Sequence, residues 1–191
     1  MKKYRLLDTD TKIISGNKLY RIQACTSFGE IQENDLGGYI ESEANLSHEG
    51  DAWVSGNAMV SGNARTFGDA RVSGNARVSG DARTFGNARI FDDARIFGDA
   101  RIFDNARIFG NARVKNNSDY LYIKGIGSCY RNTTAYMAKS GIEISCGCFC
   151  GTLKKFEDRV NETHKDTKFA KEYQLFIEII KLHFMLEEGN K

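Results

Sequence analysis

A mainly-β fold, a solenoid of three-sided 18-residue coils, is what the middle of this chain predicts, on three observations. A six-residue unit recurs eleven times without a break from Gly50 to Lys115: GDAWVS, GNAMVS, GNARTF, GDARVS, GNARVS, GDARTF, GNARIF, DDARIF, GDARIF, DNARIF, GNARVK. A fixed short period marks a repeat architecture in which each unit packs on its neighbours. Within each unit an alanine (Ala52 to Ala112) is followed two places later by a β-branched residue (Val54 to Val114), and residues two apart on a strand share a face. Finally, Thr66-Phe67 and Thr84-Phe85 lie 18 residues apart, so three hexads make one coil.

Taken in chain order, residues 1–49 predict an N-terminal β cap. LYRIQA (19–24) alternates like a strand, and IISGNKLY predicts a hairpin turning at Gly16-Asn17. Ala44 and Leu46 predict the first inward pair, with His48-Glu49 as a two-residue insertion at a corner. Such a cap covers the open edge that a solenoid would otherwise expose. Residues 50–115 form the β-helix. Alanine and the β-branched residue point inward, Trp53, Met59 and the arginines from Arg65 to Arg113 point outward, and the Gly/Asp-Asn/Asp pairs supply corners that tolerate positive φ. The 18-residue coil stacks Arg71, Arg89 and Arg107 in one column with Trp53, and Phe67, Phe85 and Phe103 in another, over a height of roughly 17 Å at about 4.8 Å per coil.

Residues 116–191 predict a small α/β module of three strands and two helices. The strands are 120–125, 129–141 and 142–149. Thr152 caps the helix LKKFEDRVNETH, and a second helix runs from about 168 to 186, with Phe169, Tyr173, Phe176, Ile177, Ile180 and Phe184 as its apolar stripe.

Composition excludes several classes. The chain has 191 residues and a net charge of +2. The hexads carry ten basic residues against seven aspartates, which is not the excess of a general polyanion binder. No apolar run approaches a membrane span, and the opening MKKYRLLDTDTK lacks the apolar stretch of a secretory leader. Five cysteines, an odd number with three crowded at 146, 148 and 150, predict reduced thiols and a cytoplasmic setting. There is no phosphate-binding GxxxxGK[ST], no GxSxG and no HExxH.

KYRLL, LYRIQA, DLGGYIE and NLSHEGDAWV, read with the hexads, resemble a family of hexapeptide-repeat, acetyltransferase-like proteins of unknown function from enteric bacteria, phages and prophages. CGCFCGTLKKFEDRVNETHKDTKFAKEY is similar to a module at the end of the phage-encoded members. The resemblance implies a left-handed parallel β-helix and a bacterial host cytoplasm.

Hexapeptide acyltransferases use a histidine base beside an acyl-CoA groove, a role suited to a group titrating near neutrality. The hexads hold no histidine. His48, just before them, is the one weak catalytic candidate and reads better as an exposed corner. The hexads instead offer arginine columns with neighbouring aromatics. Arg71, Arg83, Arg89, Arg101 and Arg107, with Phe85, Phe91, Phe97, Phe103 and Phe109, are the candidate partner-binding residues, since arginine beside phenylalanine suits phosphate contact with base stacking and marks protein interfaces. The structural alternative is a solvated ion lattice with corner packing. Cys146, Cys148 and Cys150, with His164, are the zinc candidates, although C-x-C-x-C is not a usual structural spacing. On one strand they would share a face and pack as small hydrophobes, and Cys25 and Cys129 read as core. The sequence therefore points to a non-enzymatic binding protein acting on a host protein or a nucleotide-type anion, as a counter-defence inhibitor. An acyl-CoA-dependent acyltransferase and a structural protein, able to form a homo-oligomer, are the alternatives.

Overall fold

The structure, a computed structural model, describes residues 2–185. The chain divides into two compact units, Met1–Asn117 and Ser118–Lys191.

In the first unit, eleven two-residue strands run from β4 (Trp53–Val54) to β14 (Arg113–Val114), one in each hexad. Each pairs in parallel with the strand three hexads away, so Trp53 lies over Arg71, Arg71 over Arg89 and Arg89 over Arg107. The 18-residue coil is thus observed directly. The pairing builds three sides: a first (β4, β7, β10, β13), a second (β5, β8, β11, β14) and a third (β6, β9, β12). The inward alanines and β-branched residues are buried along the stack. Each hexad opens at left-handed φ, +65° at Gly62, and where glycine is missing Asp92 (+58°) and Asp104 (+60°) take the same conformation, which short polar side chains tolerate.

The N-terminal segment extends the second side. Strands β1 (Tyr4–Ile14) and β2 (Asn17–Ala24) form a hairpin, β2 pairs antiparallel with β3 (Leu36–Ile40), and β3 lies parallel to β5 (Met59–Val60). Tyr39 aligns with Met59 and Leu46 with Thr66, an offset of twenty residues that accommodates the two-residue insertion. Two expectations need correction. Ala44 is exposed in a short 3-10 turn, and the buried pair is Asn45 and Leu46. Trp53 and Met59 do leave the outer faces of their strands but are 2% and 8% exposed. Tyr4 and Phe28 pack edge-on against Trp53, at 6.4 and 5.4 Å between ring centroids, and Leu19 and Tyr39 cluster with Met59. The cap therefore overlaps the outside of the first coil as well as its edge.

That edge has a chemical polarity. The N–H groups of each coil donate to carbonyls of the next, as Trp53 N does to the Ala70 carbonyl at 3.0 Å. The first coil consequently turns its own carbonyls outward, and buried carbonyls need donors. Lys3 Nζ donates to the carbonyls of Gly50 and Ala52 at 3.1 and 2.9 Å. The backbone N–H groups of Tyr39 and Glu41 reach those of Ala58 and Val60. Asn45 Nδ2 donates to those of Gly62 and Ala64, both at 2.9 Å.

The second unit is a meander of four antiparallel strands, β15 (Tyr120–Ile126), β16 (Arg131–Ala138), β17 (Gly141–Cys146) and β18 (Phe149–Thr152), rather than three, because 142–149 folds back at Gly147-Cys148. Ala135, Ile142, Ile144 and Cys146 pack against Leu153, Phe156 and Val160 of α1 (Leu153–His164) and against Tyr173, Phe176, Ile177 and Ile180 of α2 (Lys168–His183). The Thr152 side chain accepts from Lys155 N and caps α1. Phe169 and Phe184 are half-buried beside this stripe, and the predicted end of α2 at 186 lies outside the described residues. Among the described residues no helix is long and apolar enough to cross a membrane.

Two outcomes follow for the edge. Asn45→Ala orphans two carbonyls and lowers unfolding free energy by about 3 kcal/mol, read by urea denaturation. Burial pushes the Lys3 ammonium down from 10.5 to about 8, against an opposing pull from Asp51. Below about 8 both the folded and the unfolded chain carry the charge, and the folded state bears the full cost of burying it. Between about 8 and 10.5 the unfolded chain binds more protons, so stability rises with pH in that window. The rise is absent from Lys3→Gln.

Candidate functional site

In-register pairing places like arginines over one another on every side. Arg77, Arg95 and Arg113 align on the second side, and Arg65, Arg83 and Arg101 on the third. The spacing of about 4.8 Å sets up repulsion along each column. The corners answer part of it with Asn–Asp ladders: Asn63 Nδ2 donates to Asp81 Oδ1 at 3.0 Å, and Asn75 Nδ2 to Asp93 Oδ1 at 3.2 Å.

The second side differs from the other two because the β1–β2 hairpin overhangs it. A cleft of about 530 Å³ lies there. Its floor is Met59 and the three arginines Arg77, Arg95 and Arg113, one margin is Ser61, Ser79 and Phe97, and its wall is Ile14, Ser15, Asn17 and Leu19 from the hairpin. Arg113 is held below its usual value, first by desolvation and then by Arg95 and Arg77, with Asp93 opposing. Among the described residues no ion pair joins Arg77 or Arg95 to a carboxylate. The cleft thus presents three stacked guanidiniums to whatever enters it.

The predicted arginines fall elsewhere. Arg71, Arg89 and Arg107 stand on the first side. Arg71 is half-buried beside Gly29 and Asp51, and Arg107 lies over the Phe91 ring at 5.7 Å. Arg83 and Arg101 are exposed on the third side. Phe67, Phe85 and Phe103 form a stacked ladder with centroids 5.0 and 5.6 Å apart, and Phe91 stacks on Phe109 at 4.6 Å, so these rings turn their faces to one another. Phe97 alone of the predicted residues lines the cleft, and among the described residues it has no aromatic partner. The sequence carries Arg77, Arg95 and Arg113 at the same 18-residue spacing as the arginines singled out. What it lacks is a local sign that the hairpin folds over that side.

His48 is not an exposed corner. It is half-buried, stacks on Tyr4 at 4.3 Å, accepts a hydrogen bond at Nδ1 from Lys3 N, and faces Glu43 with Nε2 at 3.6 Å. Both ring nitrogens are directed at the cap. The cysteines also differ from expectation. Cys146 pairs with Phe149 and Ser145 with Cys150 across the hairpin, so Cys146 and Cys150 lie on opposite faces. Cys146 is buried, Cys129, Cys148 and Cys150 are exposed, and Cys25 is half-buried. His164 stacks against Tyr173 at 5.5 Å. Among the described residues no group of three or more His, Cys, Asp or Glu side chains is placed to hold a metal ion.

The first unit defines a β-solenoid repeat protein with an arginine-lined cleft beside its N-terminal hairpin. Residues 52–66 and 70–84 match the family described as YdcK beta solenoid repeat, and that stretch is similar to it. No curated protein matches the chain.

The electrostatics of the column are measurable without a ligand. Arg95→Gln removes the middle charge and leaves the thermal midpoint equal to or slightly above that of the parent at low salt. The difference closes as salt is added, and calorimetric melting at two ionic strengths reads it.

Proposed function

We propose that the protein is a non-enzymatic binding protein whose second-side cleft takes a phosphorylated, nucleotide-type anion. The observation that carries this reading is the conjunction of Arg77, Arg95 and Arg113, Arg113 already held below its usual value by its two neighbours, with the unstacked Phe97 in a walled cleft. An entering phosphate relieves the repulsion along the column and gains charge-assisted hydrogen bonds, while a base has the Phe97 face to stack on. Asn17 and Ser15 offer polar groups from the hairpin side. The resemblance to phage-encoded proteins supports a setting in the bacterial cytoplasm, where sequestering a host nucleotide would act as counter-defence. An acyl-transfer reading has no comparable support, since His48 is packed into the cap and does not line the cleft.

Adenosine triphosphate serves as the probe in titration calorimetry at low salt. Binding that weakens steeply with salt is expected, with a loss of about tenfold or more in Arg95→Glu and a smaller loss in Phe97→Ser. Undiminished binding by Arg95→Glu removes the cleft from consideration. An equal loss in Arg89→Glu moves the site to the first side.

A further inference from the structure

A second cleft, of about 910 Å³, lies wholly within the C-terminal unit, between the β17–β18 hairpin and the two helices. Its deep wall is Cys146, Phe156, Val160 and Tyr173. Cys146 accepts a hydrogen bond from Thr133 Oγ1 at 3.2 Å and lies 3.6 Å from the Tyr173 hydroxyl, so this thiol is fixed in the core. The cleft's rim carries Arg131, Lys155 and Arg159 together with the exposed Cys148.

Arg131 and Cys148 meet by construction. Cys148 occupies the tight turn between β17 and β18, and Arg131 Nη1 donates to its sulfur at 3.9 Å. The approach requires Gly147, which has φ +60°. A Cβ there would stand 2.5 Å from Arg131 Nη1 and 2.7 Å from its Cδ, so any other residue is strained and displaces the guanidinium. The hydrogen bond to Cys148 holds Arg131 still more firmly in its charged form, and the Cys129 and Cys146 sulfurs add to the effect. Three thiols therefore surround one guanidinium, and the exposed thiol in contact with it opens on a cleft with further cations.

We propose that Cys148 is a thiol–disulfide exchange site for a low-molecular-weight disulfide bearing carboxylates. A neighbouring guanidinium favours the nucleophilic thiolate over the thiol. Cys148 releases its proton to solvent, and the thiolate attacks one sulfur of the bound disulfide. The Cys148–S bond forms as the original S–S bond breaks, and the other half leaves as a thiolate that takes a proton from water. The small disulfide is the oxidant and the protein thiol is oxidised. Lys155 and Arg159 receive the carboxylates, and Arg131 is the positioning residue for the sulfur.

The test uses the full chain, reduced and then exposed to oxidised glutathione, with trapped samples mapped by peptide mass spectrometry. Cys148 should gain the glutathionyl group about tenfold faster than the equally exposed Cys150. Arg131→Gln should slow Cys148 and move its rate–pH profile to higher pH, with circular dichroism unchanged. Lys155→Gln with Arg159→Gln should slow oxidised glutathione but not the uncharged bis(2-hydroxyethyl) disulfide. Equal rates at Cys148 and Cys150, a first adduct at Cys129, or an Arg131→Gln profile identical to the parent would each overturn the assignment. If the double variant slows both disulfides alike, carboxylate recognition by the cleft is rejected.

Discussion

The solenoid unit rests on one constraint: every coil must hydrogen-bond to the next in a single register, with its N–H groups aimed one way along the stack and its carbonyls the other. A register shift of one residue would turn each buried alanine and isoleucine out and each arginine in. The same directionality makes the two edges of the stack chemically different. The edge of the first coil presents acceptors, and the N-terminal segment meets them with donors of three kinds: an ammonium at Lys3, backbone N–H groups at Tyr39 and Glu41, and a side-chain amide at Asn45. Burying the Lys3 ammonium has an electrostatic cost, visible in its lowered titration. It persists because one amine reaches two carbonyls at once.

Register also dictates the electrostatics. Repeating a hexad with arginine at one position stacks like charges three columns deep. The Asn–Asp ladders at the corners offset part of this without neutralising the columns. The sides then differ through what the non-repeating segments lay over them. On the first side the cap covers Trp53 and crowds Arg71 beside Asp51. On the second side the hairpin overhangs without filling, and the result is a cleft over Arg77, Arg95 and Arg113. Repetition supplies the charges, and the departure from repetition supplies the concavity.

This division explains what was legible in the sequence. The coil length and the register could be read because periodicity encodes them: Thr66-Phe67 and Thr84-Phe85 announce the spacing at which Trp53 meets Arg71 and Phe67 meets Phe85. Burial of Trp53 and Met59 could not, since it depends on Tyr4, Phe28 and Leu19, distant in sequence and outside any repeat. Ala44 imitates the hexad alanine, yet Asn45 takes the inward place because the edge needs a donor more than another methyl group. The three cysteines at 146, 148 and 150 suggest a shared face only for a strand that continues. Gly147 at left-handed φ ends the strand and sends them to different surroundings.

The phenylalanines show how one sequence trend acquires different meanings on different sides. Serine gives way to phenylalanine along all three corner columns. On two of them several rings fall in succession, and Phe67, Phe85 and Phe103, like Phe91 and Phe109, spend their faces on each other. On the third corner the column reads Ser61, Ser79, Phe97, Lys115, so a single ring follows two small residues and precedes a charged one. Stacking cannot propagate there, and the exposed π-face borders the arginine cleft. Composition alone would treat the five C-terminal phenylalanines as equivalent. Their columns separate four that serve the scaffold from one whose face is open to a ligand.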